Sequence, residues 1–548
     1  FGSRGRPHER RVPIMTFVIT PGCCKDASCV SVCPVQCIRP RPGDPDFLTV
    51  EQLYIDPATC IDCMACMDEC PIDVIHPDYD MPDTHGDLLK INADYFGDSP
   101  VVESSPPLHV RVQLPDDRSS LRVAVVGSGP AACYAVAALT EIKGVEVSVF
   151  ERLPTPFGLV RSGVAPDHDL TKRITKLFER TLAKKSVSCF FNVEVGTDVS
   201  VDELLEHHHA VLWAAGADDD RKLGIPGEEL PGSHSAREMV AWYNGHPDHA
   251  GSVFDLTGET VVLIGNGNVA LDVARALTGP ADHFGKTDIA DDALEALANS
   301  GVAEVVIAAR RGPEHAAYST GELASLERLE GVDVVAHADE LPAQLDPGDR
   351  RDAVLLSAAE RNGSTTGRRI VFRYQLSPLS IEGDGRVESI TFARWDGETE
   401  TIKTPLVLRA IGYRGRASAG LPFDDASGTI PHEQGRVIDE TDPVKGLYCS
   451  GWIKRGATGV IGTNKTDAAE TVASLIEDFA AGNLHEPSHG LAELSDLVNS
   501  RKSDVLDYDA WRRIDEEEKG RGRGKGRPRV KFVSVDDMLA FVRTADSA

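Results

Sequence analysis

The chain lacks any unbroken apolar run of the ~20 residues that a membrane helix requires. Its least polar stretch, 123–139, is interrupted by Gly127, Gly129 and Pro130. It is poor in basic residues, with 57 Lys and Arg against 86 Asp and Glu, so the formal net charge is −29. That balance argues against nucleic acid as a partner, because binding phosphates needs clustered positive charge. No internal repeat of solenoid length is present. Cysteine is scarce outside one region: of 12 in the chain, all but Cys133, Cys189 and Cys449 fall between Cys23 and Cys70. This points to metal rather than a disulfide framework, and to a reducing, cytoplasmic compartment. No signal peptide is evident; 1–14 is Arg-rich and reads as a disordered extension ahead of Met15. The 548 residues leave room for about three to four domains.

What the chain does contain starts with Cys60-Ile-Asp-Cys63-Met-Ala-Cys66-Met-Asp-Glu-Cys70-Pro71. Four thiolates at these spacings, closed by proline, match the run that holds cubane iron–sulfur clusters, in which the fourth cysteine serves a second cluster. Zinc would favour separated Cys-x-x-Cys pairs or a histidine partner. An earlier run, Cys23-Cys24-Lys-Asp26-Ala-Ser-Cys29-Val-Ser-Val-Cys33-Pro34, places an aspartate where the second cysteine is expected. A carboxylate is a harder, weaker ligand for this iron, so one corner can be lost. Cys23, Cys29 and Cys70 then hold cluster I, as [3Fe-4S], or as [4Fe-4S] with Asp26 or water at the fourth iron. Cys33, Cys60, Cys63 and Cys66 hold cluster II, a [4Fe-4S]. Cys24 and Cys37 are out of register and read as buried small residues, although Cys24 can replace its neighbour Cys23. Residues 15–80 resemble bacterial seven-iron or eight-iron ferredoxins, which carry one electron at a time.

The strand 121–126 runs into Gly127-Ser-Gly129-Pro-Ala131-Ala132 and a helix, and a second strand, 145–150, ends in Glu151. The glycines admit a pyrophosphate to the helix N-terminus, and the acid accepts a ribose 2′-OH, which suits FAD or NAD. The module repeats at 260–272, with Gly265-Asn266-Gly267-Asn268, but its next strand ends in Arg310-Arg311. Paired guanidiniums suit a 2′-phosphate, so NADP(H) is expected there, against the alternative of a solvated surface pair. Residues 278–301 read as an inserted helical excursion and 368–395 as antiparallel strands. Cys449 has no partner spacing for disulfide redox chemistry.

Pro154-Thr-Pro156-Phe-Gly158-Leu159 through Gly163-Val-Ala-Pro166-Asp167-His168 is unusually dense in proline and glycine. With Asn268-Val-Ala-Leu-Asp272 and Arg310-Arg-Gly-Pro it resembles the adrenodoxin reductase family of ferredoxin–NADP reductases. The resemblance implies that Leu159, Val195, Trp452, Gly459, Val460 and Ile461 line the flavin. It also implies that Glu322 follows the arginines at the NADP site, and that His168 pairs with Asp272 near flavin and nicotinamide. The plainer readings are a hydrogen-bonded loop histidine and a first-turn acid favoured by the helix dipole.

The whole chain resembles the bacterial fusion of a ferredoxin with such a reductase. The expected fold is an α+β ferredoxin-like domain followed by an α/β glutathione-reductase-like two-domain flavoprotein with FAD-binding and NADP-binding Rossmann-type modules. Its parts are an extension (1–14), the ferredoxin domain (15–95), a linker (96–119), the FAD domain (120–225 and 425–490), the NADP domain (226–424) and a C-terminal extension (491–548). NADPH is the expected electron donor, and a cytochrome P450 or other redox protein the acceptor; a monomer is expected. The alternatives are the reductase subunit of an amidotransferase-type or electron-bifurcating complex, and a non-catalytic redox sensor. The basic run 521–529 reads as a flexible cover or a strap on acidic surface in the same chain, RNA contact being less supported.

Overall fold

The computed structural model describes residues 16–81, 88–97, 113–361 and 367–546. The expected extension 1–14 and most of the expected linker lie outside them. The chain divides into two compact units, one of 1–111 with 460–463 and one of 112–459 with 464–548.

The first unit is built as an internal duplicate. The strand Phe17–Ile19 pairs antiparallel with Ile75–Pro77, and Ile38–Arg39 pairs with Tyr54–Ile55. Two five-residue helices, Ser28–Val32 and Ala65–Glu69, each follow a residue in the left-handed region, Ala27 (φ 60°) and Met64 (φ 65°). One constant offset carries the left-handed residues Lys25, Ala27 and Gln36 onto Asp62, Met64 and Asp73. The same offset carries Cys23, Asp26, Cys29 and Cys33 onto Cys60, Cys63, Cys66 and Cys70. Asp26 therefore stands at the backbone position of Cys63.

The second unit holds two large sheets, one mostly parallel and one wholly parallel. In the seven-stranded one, Leu121–Val126 lies between Val145–Glu151 and Ala210–Trp213, with Val187–Phe191 beyond the former. Asp442–Cys449 extends the other side in parallel, followed by the antiparallel Arg436–Asp439 and His432–Glu433. The chain leaves the central strand in one direction and returns on its other side, the topological switch at which such sheets open a ligand crevice.

The six-stranded sheet has the order Ser233–Ser235, Leu406–Arg409, Thr260–Ile264, Glu304–Ala308, Arg368–Arg373 and Val332–Ala336, parallel throughout. Its near-continuous apolar strands follow from burial on both faces. Val261 and Leu263 enter one core, with Leu271 and Phe372, whereas Val262 and Ile264 enter another, with Phe392 and Val407.

One expectation is corrected here. Residues 368–373 do not form an antiparallel hairpin with the strand after them; they insert between two parallel strands, because Ile370 and Phe372 complete the helix-covered core. The antiparallel sheet comprises Ser377–Glu382, Ser389–Ala393 and Thr399–Lys403. The excursion at 278–301 contains the helices Ala281–Phe284 and Asp291–Ala298. Among the described residues no helix is long and apolar enough to cross a membrane.

Candidate active site

In the first unit the cysteines line two separate cavities. One is lined by Cys23, Cys24, Asp26, Cys29 and Cys70, and the other by Cys33, Cys37, Cys60, Cys63 and Cys66. The fourth cysteine of each run thus joins the cavity of the other run, and the donor sets fit two iron–sulfur clusters. Asp26 is buried, and its Oδ1 accepts from the Ser28 N–H at 3.2 Å and from the Ser28 hydroxyl. Cys24 and Cys37 are buried as expected, yet each lines a cavity; Cys37 Sγ lies 3.4 Å from Cys33 Sγ. Sequence reasoning passed over Lys25. Its buried ammonium donates to the carbonyls of Phe47, Leu48 and Val50 at 3.1, 3.4 and 2.7 Å, tying a remote loop to the Cys23 turn.

In the second unit each nucleotide turn leaves the strand Leu121–Val126 or Thr260–Ile264 through a glycine that nothing else could replace. A Cβ on Gly127 (φ +99°) would meet the Ala214 carbonyl oxygen at 2.6 Å, and one on Gly265 (φ +108°) would press on the Ala410 oxygen. Ahead of Gly129 the space is open, and no side chain caps the helix Pro130–Thr140. That leaves its first N–H groups free for a pyrophosphate. Ala131 and Ala132 are buried in its first turn.

Glu151 ends its strand with Oε2 accepting from Ser128 N–H (3.1 Å) and Oγ (2.6 Å) and Oε1 from Leu153 N–H (3.0 Å). Burial pushes its pKa up, against the Ser128 bond. These residues fit FAD. Leu159 opens the short helix Leu159–Ser162, and Val195 is buried in the same half. Trp452 follows Gly451 (φ +84°), where a Cβ would meet Ala131 Cβ at 2.5 Å, and its Nε1 donates to Thr458 O (3.1 Å). Asp467, unsuspected from sequence, fixes this turn by accepting from Ser450 Oγ (3.0 Å) and Gly451 N–H. Gly459 is in this unit, whereas Val460 and Ile461 group with the first.

At the second turn Tyr318 N–H donates to Asn266 O (3.1 Å), and Ser319 N–H to Asn268 Oδ1 (2.8 Å). Gly267 precedes the helix Asn268–Thr278, again without a side-chain cap. Arg310 and Arg311 are exposed just beyond the strand Glu304–Ala308.

The 157–168 loop and the helix Asn268–Thr278 meet in one cluster. Arg275, 5% exposed, donates through Nε to Asp167 Oδ2 (2.6 Å) and through Nη2 to both Asp272 Oδ1 (2.7 Å) and His168 Nε2 (2.8 Å). A guanidinium has no acceptor, so Nε2 accepts and the ring proton sits on Nδ1 in this arrangement. The expected His168–Asp272 pair is therefore indirect: Nε2 and Oδ1 are 4.0 Å apart, with Arg275 bonded to both.

Glu322 joins the same cluster, 3.4 Å from Arg275 Nη1 and 3.6 Å from His168 Nε2. His168, Asp272 and Glu322 bring ligand atoms within 4.8 Å of one another. Arg275 is the cation that these groups share in this arrangement. Burial raises the Asp167 pKa, but bonds to His283 and Arg275 outweigh it and hold the carboxyl far below its usual range. Burial pushes Glu322 up. Arg275 and Asp167 carried no assigned role in the sequence, although the Asp272–Arg275 spacing of one helical turn was a usable signal.

The pyridine nucleotide-disulphide oxidoreductase family matches residues 121–451, and the 4Fe-4S binding domain matches 53–76. A probable ferredoxin/ferredoxin–NADP reductase of Mycobacterium leprae is 45% identical over 96% of this chain and 98% of its own length. The chain belongs to the ferredoxin/ferredoxin–NADP reductase family. Within that family's wider kin, the Arabidopsis thaliana mitochondrial NADPH:adrenodoxin oxidoreductase is 39% identical, covering 77% of this chain and 95% of that one. The structure of Mycobacterium tuberculosis FprA in complex with NADPH superposes with a TM-score of 0.73 at 42% identity, over 77% of this chain and all of FprA.

Proposed function

We infer that this member of the family is an NADPH-dependent ferredoxin reductase that carries its own ferredoxin domain. One observation carries the reading: Arg275, on the helix of the NADP-type turn, is hydrogen-bonded to His168, on the loop of the FAD-type half. The two nucleotide modules thus share one polar cluster where two cofactors would meet. Bound FAD would accept a hydride from NADPH and release electrons singly, and iron–sulfur clusters would relay them to a soluble redox acceptor, chemistry that the side chains lack.

The chain's own residues do the rest. Arg310 and Arg311 hold the 2′-phosphate through charge-assisted bonds, and Gly265–Asn268 present backbone N–H groups to the pyrophosphate. Glu151 accepts from the FAD ribose. Leu159, Val195, Trp452 and Gly459 cover the flavin. His168, set by Arg275, Asp272 and Glu322, orients the nicotinamide and governs water and protons at the cleft; hydride transfer itself needs no acid or base. In the ferredoxin domain we assign Cys33, Cys60, Cys63 and Cys66 to a [4Fe-4S] cluster. We assign Cys23, Cys29 and Cys70 to a [3Fe-4S] cluster, a reading supported by Asp26 being engaged with Ser28.

Anaerobic titration with NADPH, following flavin absorbance and cluster EPR together, tests the scheme. Bleaching of the flavin is expected together with reduction of the clusters, and the chain alone should reduce ferricyanide and cytochrome c. Oxidised clusters beside a bleached flavin, despite adequate driving force, would rule the relay out. A requirement for a second subunit would favour the complex-bound alternative.

A further inference from the structure

Residues 504–533 run across both halves of the second unit. They begin on the seven-stranded sheet, where Phe191 and Leu506 exchange backbone bonds of 2.8 and 3.0 Å and Asn192 Nδ2 donates to Asp504 O at 2.9 Å. The helix Tyr508–Lys525 then lies along that half. Tyr508 donates to Glu179 O (3.0 Å), and the buried Trp511 meets the Phe157 ring edge-on at 6.0 Å. Glu518 is wholly buried and takes Arg161 in a fork of 2.9 and 2.5 Å, with Phe532 N–H donating to it at 2.9 Å.

After the left-handed Gly526 (φ 67°) the chain crosses to the other half. Arg527 donates to the carbonyls of Thr287 (2.8 Å) and Ile289 and to Asp291. Lys531 Nζ, in a side chain 1% exposed, reaches Asp288 Oδ2 at 3.0 Å, Arg161 O at 3.2 Å and Asn244 Oδ1 at 3.4 Å. Asp288 in turn holds Lys172 at 2.5 Å. Phe157, Arg161 and Lys172 all belong to the loop that carries His168. That loop also holds Phe157 at φ 82°, the left-handed region that favours glycine and that another residue keeps only where its surroundings over-determine it.

We propose that residues 504–533 form a clamp that fixes the 157–172 loop at the junction of the two nucleotide modules, with Glu518 and Lys531 as positioning residues for His168. The proposal rests on the function inferred above, but concerns how His168 is set rather than what it touches. A loop with an energetically unfavourable turn relaxes when its fastenings go, and a displacement of about 1 Å at a hydride-transfer site costs on the order of a hundredfold in rate. The basic run 521–529 is the expected strap on acidic surface of the same chain rather than a flexible cover: it is part of a helix and a buried crossing, paired with Asp291, Asp515 and Glu518.

Lys531→Met in the full-length holoprotein is the deciding variant, because it leaves Lys172 and Asp288 as a matched pair and strands no charge. Flavin bleaching by NADPH in a rapid-mixing experiment should slow about tenfold. The long-wavelength absorbance produced by stacking NADP+ on the flavin should weaken. FAD content, the KM for NADPH and the melting midpoint (within about 3 °C) should hold, since neither the arginines of the 2′-phosphate site nor the core is touched. Wild-type bleaching and absorbance in a folded, FAD-replete variant would overturn the clamp.

Should Lys531→Met fail to fold or lose FAD, Asp291→Asn removes the acid shared by Arg527 and Lys525 while Arg527 keeps its two carbonyl partners, and the same two readings decide. Slower bleaching supports the clamp, and a wild-type rate overturns it. If the unmodified protein itself gives no NADPH turnover, the functional reading falls. If it turns over and the variant matches it, only the clamp falls.

Discussion

Arg275 Nη2 stands 2.8 Å from His168 Nε2, although 107 positions separate the two residues in the chain. The histidine of the FAD-type half is thus oriented from the helix of the NADP-type half, and Asp272 acts on it through the guanidinium. Three carboxylates, Asp167, Asp272 and Glu322, converge on that one cation.

Replacing Arg275 by lysine keeps the charge but loses the planar fork, so an ammonium's three hydrogens cannot replace the five bonds the guanidinium makes to Asp167, Asp272, Glu322 and His168. Flavin reduction by NADPH should slow about tenfold with FAD still bound. Arg275→Met strands the acids and should cost about 3–5 kcal/mol of stability. Rapid-mixing kinetics and denaturant melts check the two.

His168→Gln preserves size and an acceptor while removing the ring. A modest fall in the hydride-transfer rate is expected, with full FAD retention. Unchanged kinetics would dismiss a role for the imidazole.

On the proposed assignment, Arg310→Ala and Arg311→Ala would each remove a charge-assisted bond to the 2′-phosphate, worth about 1.5–3 kcal/mol. The KM for NADPH should rise by roughly ten- to a hundredfold and that for NADH should stay put. Steady-state kinetics with both coenzymes read the preference directly.

Asp26→Cys restores the thiolate missing from the first cavity. Iron per protein should rise by about one, and the EPR signal of an oxidised three-iron cluster should vanish. Unchanged iron content and spectrum would show that the fourth iron was already held.

His208 is fully buried between Leu204 O (2.8 Å) and Ser148 Oγ (2.9 Å), and burial pulls its pKa down to about 4. The folded state binds this proton less well than the unfolded one. The contribution is therefore complete above the unfolded value of about 6.5 and is lost as pH falls from there through about 4, a total of ~3 kcal/mol. The melting midpoint should drop across that window, and less so in His208→Gln.

Some of this chemistry is local and was legible in residue order alone. Cysteine spacing reports a cluster-type site because a short loop can bring its first thiols to one cavity, with the fourth reaching the other. Glu151 and Arg310–Arg311 stood out as nucleotide candidates because each sits at or just past a strand end, wherever the rest of the chain goes. The glycines at 127 and 265 are demanded by positive φ and by carbonyl oxygens that any added Cβ would strike.

What residue order left open depends on which distant surfaces come together. Arg275 meeting His168, Glu322 joining them, residues 368–373 entering a parallel sheet and Lys531 reaching Asp288 are all settled by how sheets and helices bury their apolar faces. A charged side chain taken out of water must find a partner from whichever segment that packing brings within reach, and no spacing in the sequence names that segment in advance.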